Sequence, residues 1–134
     1  MARYMLDTNI CIHLLRNQPE SVARRFAACQ VGDVVISAIA FAELEYGVSV
    51  SSEPERARSA LAELVADIPV APFDADAGVA YGPVRAATRE RRSDALDKLI
   101  AAHAIASRMV LVTNNVRDFS KYPGLQIENW LDPP

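Results

Sequence analysis

Four acidic side chains in this sequence, Asp7, Glu43, Asp97 and Asp118, are placed as the corners of a divalent-metal site would be. Asp7 ends the apolar run Tyr4-Met5-Leu6, and Glu43 lies on the helix expected after Val34-Val35-Ile36-Ser37. Asp118 follows Met109-Val110-Leu111-Val112-Thr113, and Asp97 falls in the first turn of another expected helix. In a parallel sheet the positions just past the strands share one edge, where α/β proteins place their ligand sites. Carboxylates gathered there repel one another unless a hard cation lies between them. The chemistry this suggests is metal-assisted hydrolysis, with a cation activating water and offsetting charge on a phosphoryl group. Without the cation, at least one of these carboxyls should titrate above its ordinary range.

Each acid also has a structural explanation. Asp7 could cap the helix that follows it, as could Thr8, and Asp97 would be stabilised by the helix macrodipole. Asp118 could pair with Arg117. Glu43 and Glu45 lie two residues apart on one helix, about 200° around its axis, so both cannot serve one site. Asp94, three residues before Asp97, shares nearly the same helix face and competes with it as a ligand. Asp74 and Asp76 read as cap and first-turn acids, and His13 and His103 as packed or surface histidines. The conjunction favours the metal site: Asp7, Glu43 and Asp118 fall within a few residues of strand ends, and Asp97 joins them if the start of its helix approaches the same edge.

The elements that must position these residues alternate along the chain. Strands are expected at residues 3–6, 34–37, 68–73, 109–113 and 125–128. The third is broken by Pro69 and Pro72 and so belongs at a sheet edge. Helices are expected at about 9–16, 19–29, 40–50, 55–66, 75–91 (interrupted or kinked near Gly82-Pro83), 95–107 and 116–119. Asp74 and Asp94 are the caps of the fifth and sixth. This alternation implies one domain over 1–134, a three-layer α/β/α sandwich with a mainly parallel sheet.

Composition sets further bounds. A chain of 134 residues, half of them apolar, can bury a core without staples. No leader pattern opens it, and its longest apolar run falls far short of the ~20 residues that cross a bilayer. Cys11 and Cys29 fit neither a redox nor a zinc spacing, so reduced thiols and a cytoplasmic location are expected. The net charge of −3 argues against nucleic-acid binding through overall positive charge. Twelve of the fourteen basic residues are nevertheless arginine, and Arg85, Arg89, Arg91 and Arg92 crowd just ahead of Asp97. They suit either a phosphate-gripping rim or a solvated helix face paired with Glu90 and Asp94. A glycine-rich phosphate loop and a nucleophile elbow are absent, and Asn9 stands where an aspartyl phosphatase needs its second acid.

Taken together, Met5-Leu6-Asp7-Thr8-Asn9-Ile10, Glu43 with Tyr46-Gly47, Asp97 with Leu99-Ile100-Ala101-Ala102-His103-Ala104, and Val112-Thr113-Asn114-Asn115-Val116-Arg117-Asp118-Phe119 resemble the PIN-domain ribonuclease toxins of the VapC family. Pro123-Gly124-Leu125 and Glu128-Asn129-Trp130 extend the likeness to nearly the whole chain. The resemblance implies a five-stranded parallel sheet in the order 3-2-1-4-5. It makes Asp7, Glu43, Asp97 and Asp118 the catalytic quartet, with Mg²⁺ or Mn²⁺ held chiefly by Asp7 and Asp97. Thr113 and Asn114 would line the same pocket. It further implies an RNA substrate (tRNA, and in one branch initiator tRNA), a VapB-type antitoxin and a homodimer, with no membrane association. A PIN nuclease acting on rRNA or mRNA, or a non-catalytic PIN-like module that captures a basic peptide, are the alternatives. One departure stands out: Arg89 to Leu96 contains no glycine where relatives carry a glycine-containing loop, so this connection should be shorter and more helical.

Overall fold

The computed structural model describes residues 2–17, 19–30, 32–91 and 93–131, so Arg92 lies outside it. Five parallel strands form one sheet in the order β3-β2-β1-β4-β5. They are β1 (Tyr4–Leu6), β2 (Val34–Ser37), β3 (Val70–Ala71), β4 (Val110–Val112) and β5 (Ile127–Glu128). The helices are α1 (Thr8–Arg16), α2 (Glu20–Ala27), α3 (Ala38–Ser49), α4 (Pro54–Asp67), α5 (Ala75–Ala87), α6 (Ala95–Ala106) and α7 (Val116–Phe119). Strand side chains alternate between faces. Leu6, Val34, Ile36 and Val112 enter one buried cluster with Ile10, Val22, Leu44 and Leu61. Met5, Val35 and Leu111 enter the other with Val84, Ile100, Ala104 and Phe119. Two cores on opposite faces make the three layers.

The register sets the site. Leu6 stands level with Ile36 on one side and Val112 on the other. The next residue on each strand is therefore at the same carboxyl edge, and these are Asp7, Ser37 and Thr113. The Asp7 amide donates to the Val112 carbonyl at 3.0 Å, so the ladder runs one step past β1 and holds Asp7 in line.

Several elements are shorter than their sequence patterns. The third strand reduces to Val70–Ala71 on the sheet edge, because Pro69 and Pro72 flank it and Ile68 ends α4. The fifth strand keeps only Ile127–Glu128. Helix α5 runs unbroken through Pro83 but stops at Ala87, four residues before Arg91. The glycine-free connection that follows consists of turns among its described residues, against the expectation of more helix.

Candidate active site

Helix α1 begins on Asp7, whose Oδ1 accepts the Ile10 amide at 2.9 Å. Its Oδ2 accepts the Thr113 hydroxyl at 2.5 Å. The capping role and the site role thus fall on one carboxylate, each oxygen fixed by a separate donor. Thr113 in turn accepts the Asn115 amide at 2.9 Å, and the Asn115 side chain donates to Asp118 Oδ2 at 3.1 Å. A chain of hydrogen bonds therefore runs along the edge from Asp7 to Asp118.

Ser37 starts α3 by accepting the Ile39 amide at 3.1 Å. The ring of buried His103 meets the same hydroxyl at 2.8 Å, so His103 is a packed residue behind the site. About one and a half turns along α3, Glu43 accepts the Thr8 hydroxyl at 2.7 Å, which ties α1 and α3 together. Glu45 points away and takes a two-point ion pair from Arg58 at 2.6 and 2.7 Å, as the 200° separation requires.

A pocket of about 630 Å³ opens at this edge, lined by Asp7, Thr8, Asn9, Glu43, Asp97 and Asn115, with Ile12, Ile39, Tyr46, Leu96 and Phe119 as apolar walls. The first turn of α6 therefore does reach the carboxyl edge. Asp118 stands beside the pocket, half-exposed, linked to it through Asn115. Asn115 lines the pocket where Asn114, the neighbour expected there, is exposed.

Electrostatics separate the acids. Burial pushes the Asp7 carboxyl from 3.8 up to about 6, against the lowering effect of its Thr113 and Ile10 donors. Asp97 rises to about 6 as well, through burial and then the charges of Asp7, Glu43, Asp94 and Asp118. Asp94 behaves in the opposite way. Its burial raises the carboxyl, but the donors Tyr122 and Lys98 and the Arg91 charge outweigh that and leave it lowered.

Asp94, unlike Asp97, is taken up by neighbouring donors and does not line the pocket. It occupies the N-cap position of α6 yet caps no amide, because its oxygens face Tyr122, Arg91 at 3.0 Å and Lys98 at 3.2 Å. Nor is Arg91 part of a free phosphate rim, being tied to Asp94 and to the Asp118 carbonyl at 3.2 Å. Asp118 meets Arg91 and Asn115 and not Arg117, which is exposed. Lys98 escaped the sequence reading altogether. Its one signal was an i,i+4 spacing from Asp94 inside an apolar helix.

The donor set in the pocket is entirely oxygen, which suits a hard divalent cation. Among the described residues no three His, Cys, Asp or Glu side chains gather closely enough to ligate one ion between them. A small hard cation that keeps several waters needs only one or two carboxylates, so Asp7 and Asp97 fit it.

Sheet order and site together define an α/β domain with an acidic, cation-type pocket at the carboxyl edge of its sheet. The PIN domain profile matches residues 4–125, and the chain belongs to that family, among its VapC ribonucleases. It is 40% identical over 132 residues to the tRNA(fMet)-specific endonuclease VapC of Shigella flexneri, covering 97% of this chain and 99% of that one. Ribonuclease VapC2 of Rickettsia felis is 37% identical over 130 residues, covering 95% and 97%. Among solved structures, VapBC of Salmonella typhimurium bound to DNA superposes with a TM-score of 0.89 at 36% identity, covering 97% and 99%. VapBC2 of Rickettsia felis, bound to a DNA fragment from its promoter, gives 0.87 at 36% identity over 95% and 98%.

Proposed function

We propose that this chain is a metal-dependent endoribonuclease toxin that hydrolyses a phosphodiester of tRNA, initiator tRNA foremost, and is neutralised by a VapB-type antitoxin. The observation that supports it best is the pocket that Asp7, Glu43 and Asp97 line together, with Asp97 in the field of the other two. The 40% identity with a tRNA(fMet)-specific endonuclease supports the substrate, and the VapBC structures support the antitoxin.

Asp7 and Asp97 would hold Mg²⁺, with Mn²⁺ as substitute. Such a cation supplies an acidified water and charge compensation at the phosphoryl oxygens. Glu43, anchored by Thr8, would orient the attacking water and accept its proton, and Asp118 would assist through Asn115. Exposed Arg85, Arg89 and Arg117 would take backbone phosphates away from the scissile bond. An antitoxin arginine or lysine entering the pocket would relieve the same carboxylate repulsion and block the cation.

A homodimer and a cytoplasmic location complete the proposal. The free thiols of Cys11 and Cys29 suit a reducing compartment. Among the described residues no helix is long and apolar enough to cross a membrane.

The deciding experiment is sequencing of RNA cleavage ends after brief expression, with Asp7→Asn as control. Ends confined to one tRNA and absent in the control are expected. Cleavage of rRNA or mRNA instead would redirect the substrate, and identical ends from the Asp7→Asn variant would overturn the site.

A further inference from the structure

The corner of the site formed by α6 is held by a buried ionic node outside the pocket. Asp94 and Lys98 are 7% and 4% exposed and face each other one turn apart. Lys98 also donates to the carbonyls of Thr88, at 2.9 Å, and Arg91, at 2.5 Å, closing the turn between α5 and α6. Asp94 receives the Tyr122 hydroxyl from the segment after α7. Arg91 joins the two halves. Its Nη2 pairs with Asp94 at 3.0 Å and stands 3.9 Å from the Asp118 carboxylate, while Nη1 donates to the Asp118 carbonyl at 3.2 Å. The guanidinium lies over the Tyr122 ring, 5.2 Å from its centre.

This arrangement spans two acids that come from different elements. Asp97 directly precedes Lys98 on α6, and Asp118 is on α7. No strand pairing fixes their separation. Arg91 bridges the two elements, touching the α6 anchor and the α7 backbone with one rigid planar group.

We propose that Arg91 is a positioning residue: seated on Asp94, its guanidinium sets where Asp118 stands relative to Asp97 and so governs how the pocket takes a divalent cation. The inference rests on the metal-dependent reading of the pocket. It differs from a phosphate-gripping role, because Arg91 donates inward to protein oxygens. It also differs from a purely electrostatic role. A cation near the site repels a second one, so loss of its charge alone would tighten metal binding, whereas loss of positioning weakens it.

The test uses Mn²⁺ alone with the full chain, its free concentration read by electron paramagnetic resonance without RNA, followed by thermal unfolding and the KM for RNA. Arg91→Ala and Arg91→Lys should each weaken Mn²⁺ binding on the order of tenfold or more, the scale seen when groups behind metal ligands are removed. KM for RNA should stay unchanged. Lysine keeps the charge and one ion pair with Asp94 but cannot reach both partners, so that comparison stands even where the alanine variant folds poorly. Parental or tighter Mn²⁺ binding in Arg91→Ala, or full recovery in Arg91→Lys, overturns the proposal. So does a raised KM with unchanged Mn²⁺ binding. Asp7→Asn separates this failure from that of the underlying reading: parental Mn²⁺ binding in that variant would remove the metal pocket and this inference with it.

Discussion

The hydroxyl of Thr113 donates to Asp7 Oδ2 across the gap between β4 and β1, at 2.5 Å and fully out of solvent. It also accepts the Asn115 amide, so a single oxygen connects the first acid of the site to the segment bearing the last. Thr113→Val keeps the shape and removes both bonds. A buried acceptor and a backbone donor then lose their partner, which costs about 1–3 kcal/mol. Denaturant unfolding should show that loss, and cleavage should fall at least tenfold, in the range for groups that orient metal-binding carboxylates. Parental stability together with parental activity would refute the coupling.

Asp7 is a buried charge whose value to the fold is negative when no cation is present. Its carboxyl titrates at about 6 instead of 3.8, so holding it ionised at pH 7.5 costs up to about 3 kcal/mol. Asp7→Asn retains an acceptor for Ile10 and offers an amide to Thr113. The metal-free variant should therefore melt several degrees above the parent while cleaving nothing. Saturating Mg²⁺ should raise the parent's Tm and leave the variant's unchanged. A variant that melts below the metal-free parent would contradict this account.

The same shifts predict opposite pH trends for stability and for metal binding. Asp7 and Asp97 bind protons more tightly in the native state than when unfolded, between about 4 and about 6. Their contribution to metal-free stability therefore declines as pH rises through that window. Asp94, whose carboxyl is lowered, contributes above its ordinary 3.8 and loses that contribution on acidification. A cation must displace the protons on Asp7 and Asp97, so its affinity and the cleavage rate should fall as pH drops below about 6. Calorimetry at pH 6 in buffers of different ionisation enthalpy should show proton release on Mg²⁺ binding. Binding without proton release would argue against these two ligands.

Local patterns were enough to read most of this architecture. Val34–Ser37 and Val116–Phe119 coincide with their patterns, because β-branched runs and short helical turns are decided locally. The positions of Asp7 and Glu43 were legible for the same reason, each being counted from a strand end. The sheet order came from the family resemblance and not from the residues alone. What stayed hidden was tertiary. Helix α5 ends at Ala87, and the turn beyond it is held by Lys98, which takes the carbonyls of Thr88 and Arg91 from ten and seven residues away. Asp94 looked like a cap because its spacing to α6 is right. Its carboxylate goes to Tyr122, Arg91 and Lys98 instead, partners that no local pattern reveals. Arg91 looked like part of a basic rim until the fold placed two acids within its reach.

That difference makes Asp94 and Asp97 separable by experiment, although they lie three residues apart. Asp97→Ala removes a half-buried carboxylate that four other acids already disfavour. The variant should fold with undiminished Tm at neutral pH and lose all cleavage. Asp94→Ala instead strands Lys98, 4% exposed, without its counter-charge and leaves Arg91 without its seat. Breaking a buried pair from one side costs about 3–5 kcal/mol. The expected result is a much lower Tm with measurable cleavage at low temperature, where the fold persists. Replacing Lys98 by Met in the same chain should return part of that stability, since a buried pair exchanged for apolar groups is tolerated far better than half a pair. An Asp94→Ala protein that is stable but wholly inactive would instead make Asp94 a ligand and reassign the third corner of the site.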